Sequence, residues 1–180
     1  MTRPLYLPPW RIDLDVRDAV RSPLGDAALG RAVAAALEAG GAPTPASIGL
    51  ILADDAELAG LNAVHMGVDG PTDVLSFPLL PAAAFPPHAG QRAATPVPWF
   101  ALPPGRRLHL GDIVVSVERA VEQAEAGRGG HSGDRRWSAA DELRLLVTHG
   151  ALHVCGWDHA EPEEEAAMRA LERRLLDEAS

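Results

Sequence analysis

Three of the chain's seven histidines fall within eleven residues, in the run His149-Gly150-Ala151-Leu152-His153-Val154-Cys155-Gly156-Trp157-Asp158-His159. The preceding residues, Asp141 to Thr148, place apolar side chains at helical spacing, so the spacing predicts a helix that carries His149 and His153. At i and i+4 the two imidazoles share one face, roughly 6 Å apart, within reach of a single ion. Gly156 suits the left-handed residue that stops a helix and turns the chain back, bringing His159 round as a third ligand. Three neutral imidazoles form a zinc set, and three protein ligands leave a fourth position for water, the pattern of a catalytic rather than a structural site. A zinc ion there lowers the pKa of water to about 7.

The frame H-x3-H-x2-G-x2-H is shared with metalloproteases, which place glutamate directly after the first histidine as general base. This chain has Gly150 at that position, and no other protein general base is evident in the sequence. Met168 falls in the next predicted helix rather than in a turn under the metal. Peptide hydrolysis is therefore the weaker metal chemistry for this site. Cys155 lies two residues past His153, off the histidine face, and reads as packing.

The remaining elements must position that run. Arg11–Val16 alternates apolar and charged residues, the pattern of a half-buried strand. Residues 24–39 read as an amphipathic helix closed by Gly40-Gly41, and Ser47–Ala53 as a buried strand. A helix over 56–64 follows, capped by Asp54 or Asp55. Asp73–Phe77 and Leu108–Ser116 read as strands, with Gly111 marking a bulge in the second. Val117–Gly127 reads as a helix, and the last helix opens at Glu161-Pro162 with acids in its first turn. Residues 81–105 form a Pro/Ala/Gly-rich loop insertion. Strands interleaved with helices give an α+β class: a small mixed sheet packed on helices, with the zinc cleft at the end of the H-x3-H helix.

A length of 180 residues suits one domain spanning 1–180. No apolar run is long enough to span a membrane, and the N-terminus lacks a signal-peptide pattern. A single cysteine excludes an internal disulfide and fits a cytoplasmic location. The net charge is −9, which argues against non-specific nucleic-acid binding and against DNA as a partner. The charge is uneven, since residues 86–136 hold seven arginines against five acids. A bound polyanion would lie against Arg106, Arg107, Arg119, Arg128, Arg135 and Arg136.

Taken together, the motif blocks resemble the YbeY family of ribosomal-RNA maturation factors. That family's H-G-x-L-H-L-x-G-Y-D-H stands here as His149 to His159, with Val154 for Leu and Trp157 for Tyr. Its P-T-D-V-L-S-F-P block stands as Pro71 to Pro78, and L-G-D-I-V-I-S as Leu110 to Ser116; a G-H-S stands at Gly130 to Ser132. The resemblance implies a zinc-dependent, single-strand-specific endoribonuclease acting in ribosomal RNA maturation and ribosome quality control. Zinc would be held by His149, His153 and His159. The small ribosomal subunit would be the partner, with ribosomal proteins or an assembly GTPase beside it. The competing expectation is a non-catalytic, zinc-stabilised assembly factor.

One position departs from that pattern. Before P-T-D the family carries aromatic-Arg-Gly, whereas this chain has His65-Met66-Gly67. Phosphodiester cleavage builds negative charge that an arginine stabilises and a methionine does not. Arg106 and Arg107 are the replacement candidates on the substrate side, together with Ser76 and Asp112. Asp112 and Asp158 are also candidates for orienting a ligand histidine.

Overall fold

In the strand Trp10–Val16 (β2), Trp10, Ile12 and Leu14 are buried while Arg11, Asp13 and Asp15 are not, the alternation of a sheet with one covered face. The computed structural model describes residues 1–89, 106–127 and 137–178. Five strands form one sheet: β1 (Arg3–Leu7), β2, β3 (Ala46–Ala53), β4 (Val74–Pro78) and β5 (Leu108–Ser116), in the order β1-β2-β3-β5-β4. The central pairs β2/β3 and β3/β5 are parallel, and the outer strands β1 and β4 are antiparallel to their neighbours. The sheet is therefore mixed, as expected. β1 was not expected, because its short apolar run ends at Pro8-Pro9 and reads as a tail rather than as an edge strand.

Helices α1 (Asp26–Ala39), α4 (Ala139–Val154) and α5 (Pro162–Glu178) share one large core with the sheet. Ile12, Leu14, Ile48, Leu50, Leu110, Ile113, Leu143 and Leu152 are fully buried there. On the far face, α2 (Asp55–Met66) covers Ile51, Ala53, Leu75, Phe77 and Val114 through Leu58 and Leu61. The remaining helix, α3 (Val117–Glu125), begins directly where β5 ends and packs beside α4. No described helix is long and apolar enough to cross a membrane.

Local chemistry sets the helix ends. Asp54 caps α2 by accepting from the Glu57 amide at 2.9 Å. Ser138 and Asp141 form a reciprocal capping box at the start of α4. The other end of α4 closes as a Schellman turn: Trp157 N–H donates to Leu152 O at 3.1 Å and Gly156 N–H to His153 O at 3.0 Å, with Gly156 at φ +81°. The sequence expectation for Gly156 is met.

Gly111 supplies the bulge. Its φ is +145°, and a Cβ there would sit 2.3 Å from Phe77 O. Across it the register passes from Ser47–His109 to Gly49–Asp112, so β5 carries one extra residue. Leu110 and Ile113, three apart, consequently face the same core. Of the insertion read at 81–105, residues 81–89 are described and contain a single 3-10 turn at Ala82–Ala84; the rest lies outside the described residues. So do the G-H-S at 130–132 and Arg128, Arg135 and Arg136.

Candidate metal centre

α4 crosses the sheet at β4 and β5, where Gly150 allows contact. A Cβ on Gly150 would lie 2.6 Å from Ile113 Cγ2 and 3.0 Å from Val74 Cγ2. The Gly150 carbonyl accepts the Ser76 hydroxyl at 3.0 Å, which fastens β4 to the helix. This seating points His149 and His153 along the helix flank, and the Gly156 turn returns His159 beside them. Ligand-competent atoms of the three histidines lie within 4.8 Å of one another. Ring centroids are 4.5 Å apart for His149–His153, 4.9 Å for His153–His159 and 5.5 Å for His149–His159.

Outer partners fix which nitrogens face inward. Nδ1–H of His149 donates to the Glu172 carboxylate at 2.6 Å, and Nδ1–H of His153 donates to Trp157 O at 2.8 Å. Both acceptors lack a proton to give, so each ring carries its proton on Nδ1, and a neutral ring presents a lone pair at Nε2. Those atoms face each other at 3.0 Å. A separation of 3.0 Å suits either a shared hydrogen bond or one cation held by both nitrogens. Burial, reinforced by the neighbouring imidazoles of His149 and His159, pushes His153 down to about 4. A proton is thus a poor occupant at neutral pH, whereas a metal ion requires neutral imidazole. Three convergent imidazoles, two with an outer hydrogen-bond acceptor, fit a zinc-type ion. Cys155 is buried, its thiol pushed up to about 12 by desolvation, and it packs against Gly40 as the sequence suggested.

The histidines open on a cleft of about 590 Å³ whose walls include Met66, Thr72, Asp73, Ser76, Trp157 and Asp158. Met66 is exposed there, and among the described residues no arginine lines the cleft. His88 stacks on the Trp157 ring at 4.0 Å, so the start of the insertion lies against the histidine turn.

The other sequence candidates divide. Ser76 reaches the cleft, its hydroxyl already donated to Gly150 O. Asp158 lines it too, but accepts from the His159 amide at 2.8 Å, as a local turn residue does. Arg107 donates to Pro9 O at 2.6 Å, at the sheet end where Trp10, Ala46 and Leu108 align, and Arg106 is solvent-exposed beside it. Neither lines the cleft. Asp112 faces the opposite side of the sheet from α4, over Gly49 and near His109 Nε2 at 3.3 Å. Sequence reasoning missed Glu172. It stands 23 positions from His149 on another helix, so no local spacing could flag it.

A family model described as Endoribonuclease YbeY matches residues 21–180. The chain belongs to the YbeY family. Relatives named Endoribonuclease YbeY include one from Roseiflexus sp. (strain RS-1), 37% identical over 92% of this chain and 90% of that protein. Another, from Salinispora tropica, is 44% identical over 78% of this chain and 79% of the relative. The solution structure of TM1509 from Thermotoga maritima matches with a TM-score of 0.53 at 22% identity, over 94% of this chain and 88% of that one, a likeness of fold. The YbeY blocks map onto the cleft: Pro71–Pro78 builds β4 and its approach, Leu110–Ser116 builds β5 beneath Gly150, and His149–His159 carries the three clustered histidines.

Proposed function

We propose that this chain is a zinc-dependent endoribonuclease that cuts single-stranded RNA in ribosomal RNA maturation and ribosome quality control, in the cytoplasm. The observation that carries the reading is the convergence of His149, His153 and His159, with two Nε2 atoms facing each other, in a chain of a family named for endoribonuclease activity. Zinc held by His149, His153 and His159 supplies positive charge toward a phosphate oxygen and lowers the pKa of water.

The chain's own residues do the rest. Glu172 and Trp157 O hold the two rings by their Nδ1–H groups and so aim both Nε2 atoms at one point. The Gly156 turn sets where His159 arrives. Ser76 and Thr72 offer hydroxyl oxygens to a strand lying in the cleft. Gly150 leaves no room for a side-chain base beside His149, which favours phosphodiester over peptide hydrolysis.

A second reading draws support from Met66, exposed in a cleft that no arginine lines among the described residues. In that reading the chain is a zinc-stabilised assembly factor that binds the small ribosomal subunit and cuts weakly. Cleavage of an end-labelled single-stranded RNA, with and without chelator and beside His153→Ala, separates the two. Chelator-sensitive cleavage lost in the variant is the expected result. Absence of cleavage by folded, zinc-loaded protein that still binds small subunits supports the assembly factor.

A further inference from the structure

His149 is also a wall of a second cavity, and nothing described so far uses it. This cavity, of about 390 Å³, lies between α3, α4 and α5, behind the His149 ring as seen from the cleft. Its volume is in the range of small-ligand pockets. Trp137, Leu145 and Leu176 give it aromatic and aliphatic walls, and Asp73, Gln123 and Arg173 give it a polar side.

The polar groups have a definite sense. Gln123 donates its amide N–H to Asp73 Oδ2 at 3.0 Å, which leaves its carbonyl oxygen as an acceptor with no partner among the described residues. The Asp73 carboxylate also takes the Val74 amide at 2.8 Å, so Gln123 is held in that orientation. Asp177 adds another acceptor to the wall. Arg173 makes no ion pair among the described residues, and its exposed guanidinium is suited to a phosphate. Flat apolar walls, an acceptor-rich edge and one open cation match a nucleotide whose base presents N–H donors.

We propose that this cavity is a base-binding subsite for the nucleotide flanking the one at the histidines, and that it selects bases with an exocyclic amino group over uracil. The proposal rests on the RNA-cleaving reading. A strand whose phosphate lies at the histidines has the His149 ring as its partition from the cavity, so the next base turns past that ring. Trp137 and the leucines hold the base faces, the Gln123 oxygen takes the amino group, and Arg173 meets the following phosphate.

The test is calorimetric titration of the zinc-loaded full chain with CMP and with UMP, alongside Leu145→Trp, which fills the cavity without removing a polar group. Trp137→Ala is the companion variant, and thermal melts report whether each folds. CMP is expected to bind about fivefold tighter than UMP, the worth of one hydrogen bond to the Gln123 oxygen, with the difference abolished in Leu145→Trp. Equal binding of the two, no binding of either, or an unchanged preference in a folded Leu145→Trp protein overturns the subsite. RNA cleavage is scored on the same samples. Selective CMP binding without cleavage leaves the subsite standing and counts against the nuclease reading, whereas cleavage without selective binding does the reverse.

Discussion

Glu172 is the residue whose removal most directly tests the centre. Its carboxylate is 90% shielded and fixes the His149 ring from the side away from the cleft. Loss of such an outer partner lowers metal affinity about 10–100-fold. Glu172→Ala is therefore expected to weaken zinc binding by that factor, measured by competition against a chromophoric chelator, while its melting curve stays cooperative. His153 makes a second prediction. Its folded pKa, about 4, lies below the ordinary 6.5, so between those values the unfolded chain takes up the proton more readily. Metal-free protein should lose stability as pH falls from about 6.5 toward 4, and His153→Gln should flatten that part of the profile in thermal melts. Met66→Arg is expected to raise kcat/KM for RNA by about tenfold, since it adds a cation at the exposed cleft wall.

At the scale of elements, the centre depends on how closely α4 sits on β4 and β5. Gly150→Val would push a branched side chain into Ile113 and Val74, and overpacking of this kind costs roughly 1–3 kcal/mol. The expected outcome is a lower denaturant midpoint together with weaker metal binding, because the helix must lift from Ser76. The sequence made α4, its stop at Gly156 and the convergence of the three histidines readable, since helical period and turn chemistry are local properties. Asp112 shows where local reading fails. Simple alternation puts Asp112 on the same side as Leu110, facing α4. The extra residue at Gly111 reverses that, placing Ile113 inward and Asp112 outward. The bulge itself was legible from Gly111, but which side chain it redirects depends on pairing with Ser47 and Gly49. Glu172 was illegible for a related reason, because only the packing of α5 on α4 brings it to His149.

At the scale of the molecule, a net charge of −9 leaves few cations to meet a polyanion. Among the described residues, Arg169 and Arg173 are the arginines lining cavities that include His149. Two phosphate contacts on a single strand give a salt slope of about −1.4 in log K against log salt. RNA binding measured by fluorescence anisotropy across a salt series should be that shallow, and a slope several times steeper would place the strand on another surface. The mixed five-strand order was not derivable from the chain alone, since β1 hides before Pro8-Pro9 and parallel pairing has no local signature. The position of His159 has one more consequence. Two of the three histidines ride on a packed helix, but the third sits in the exposed connection to α5. An ion bridging them would tie that connection to α4 like a clasp, over the span in which backbone amides otherwise open most readily. Amide exchange across residues 156–161 would then report occupancy, slow when loaded and fast when stripped, even where no substrate is present.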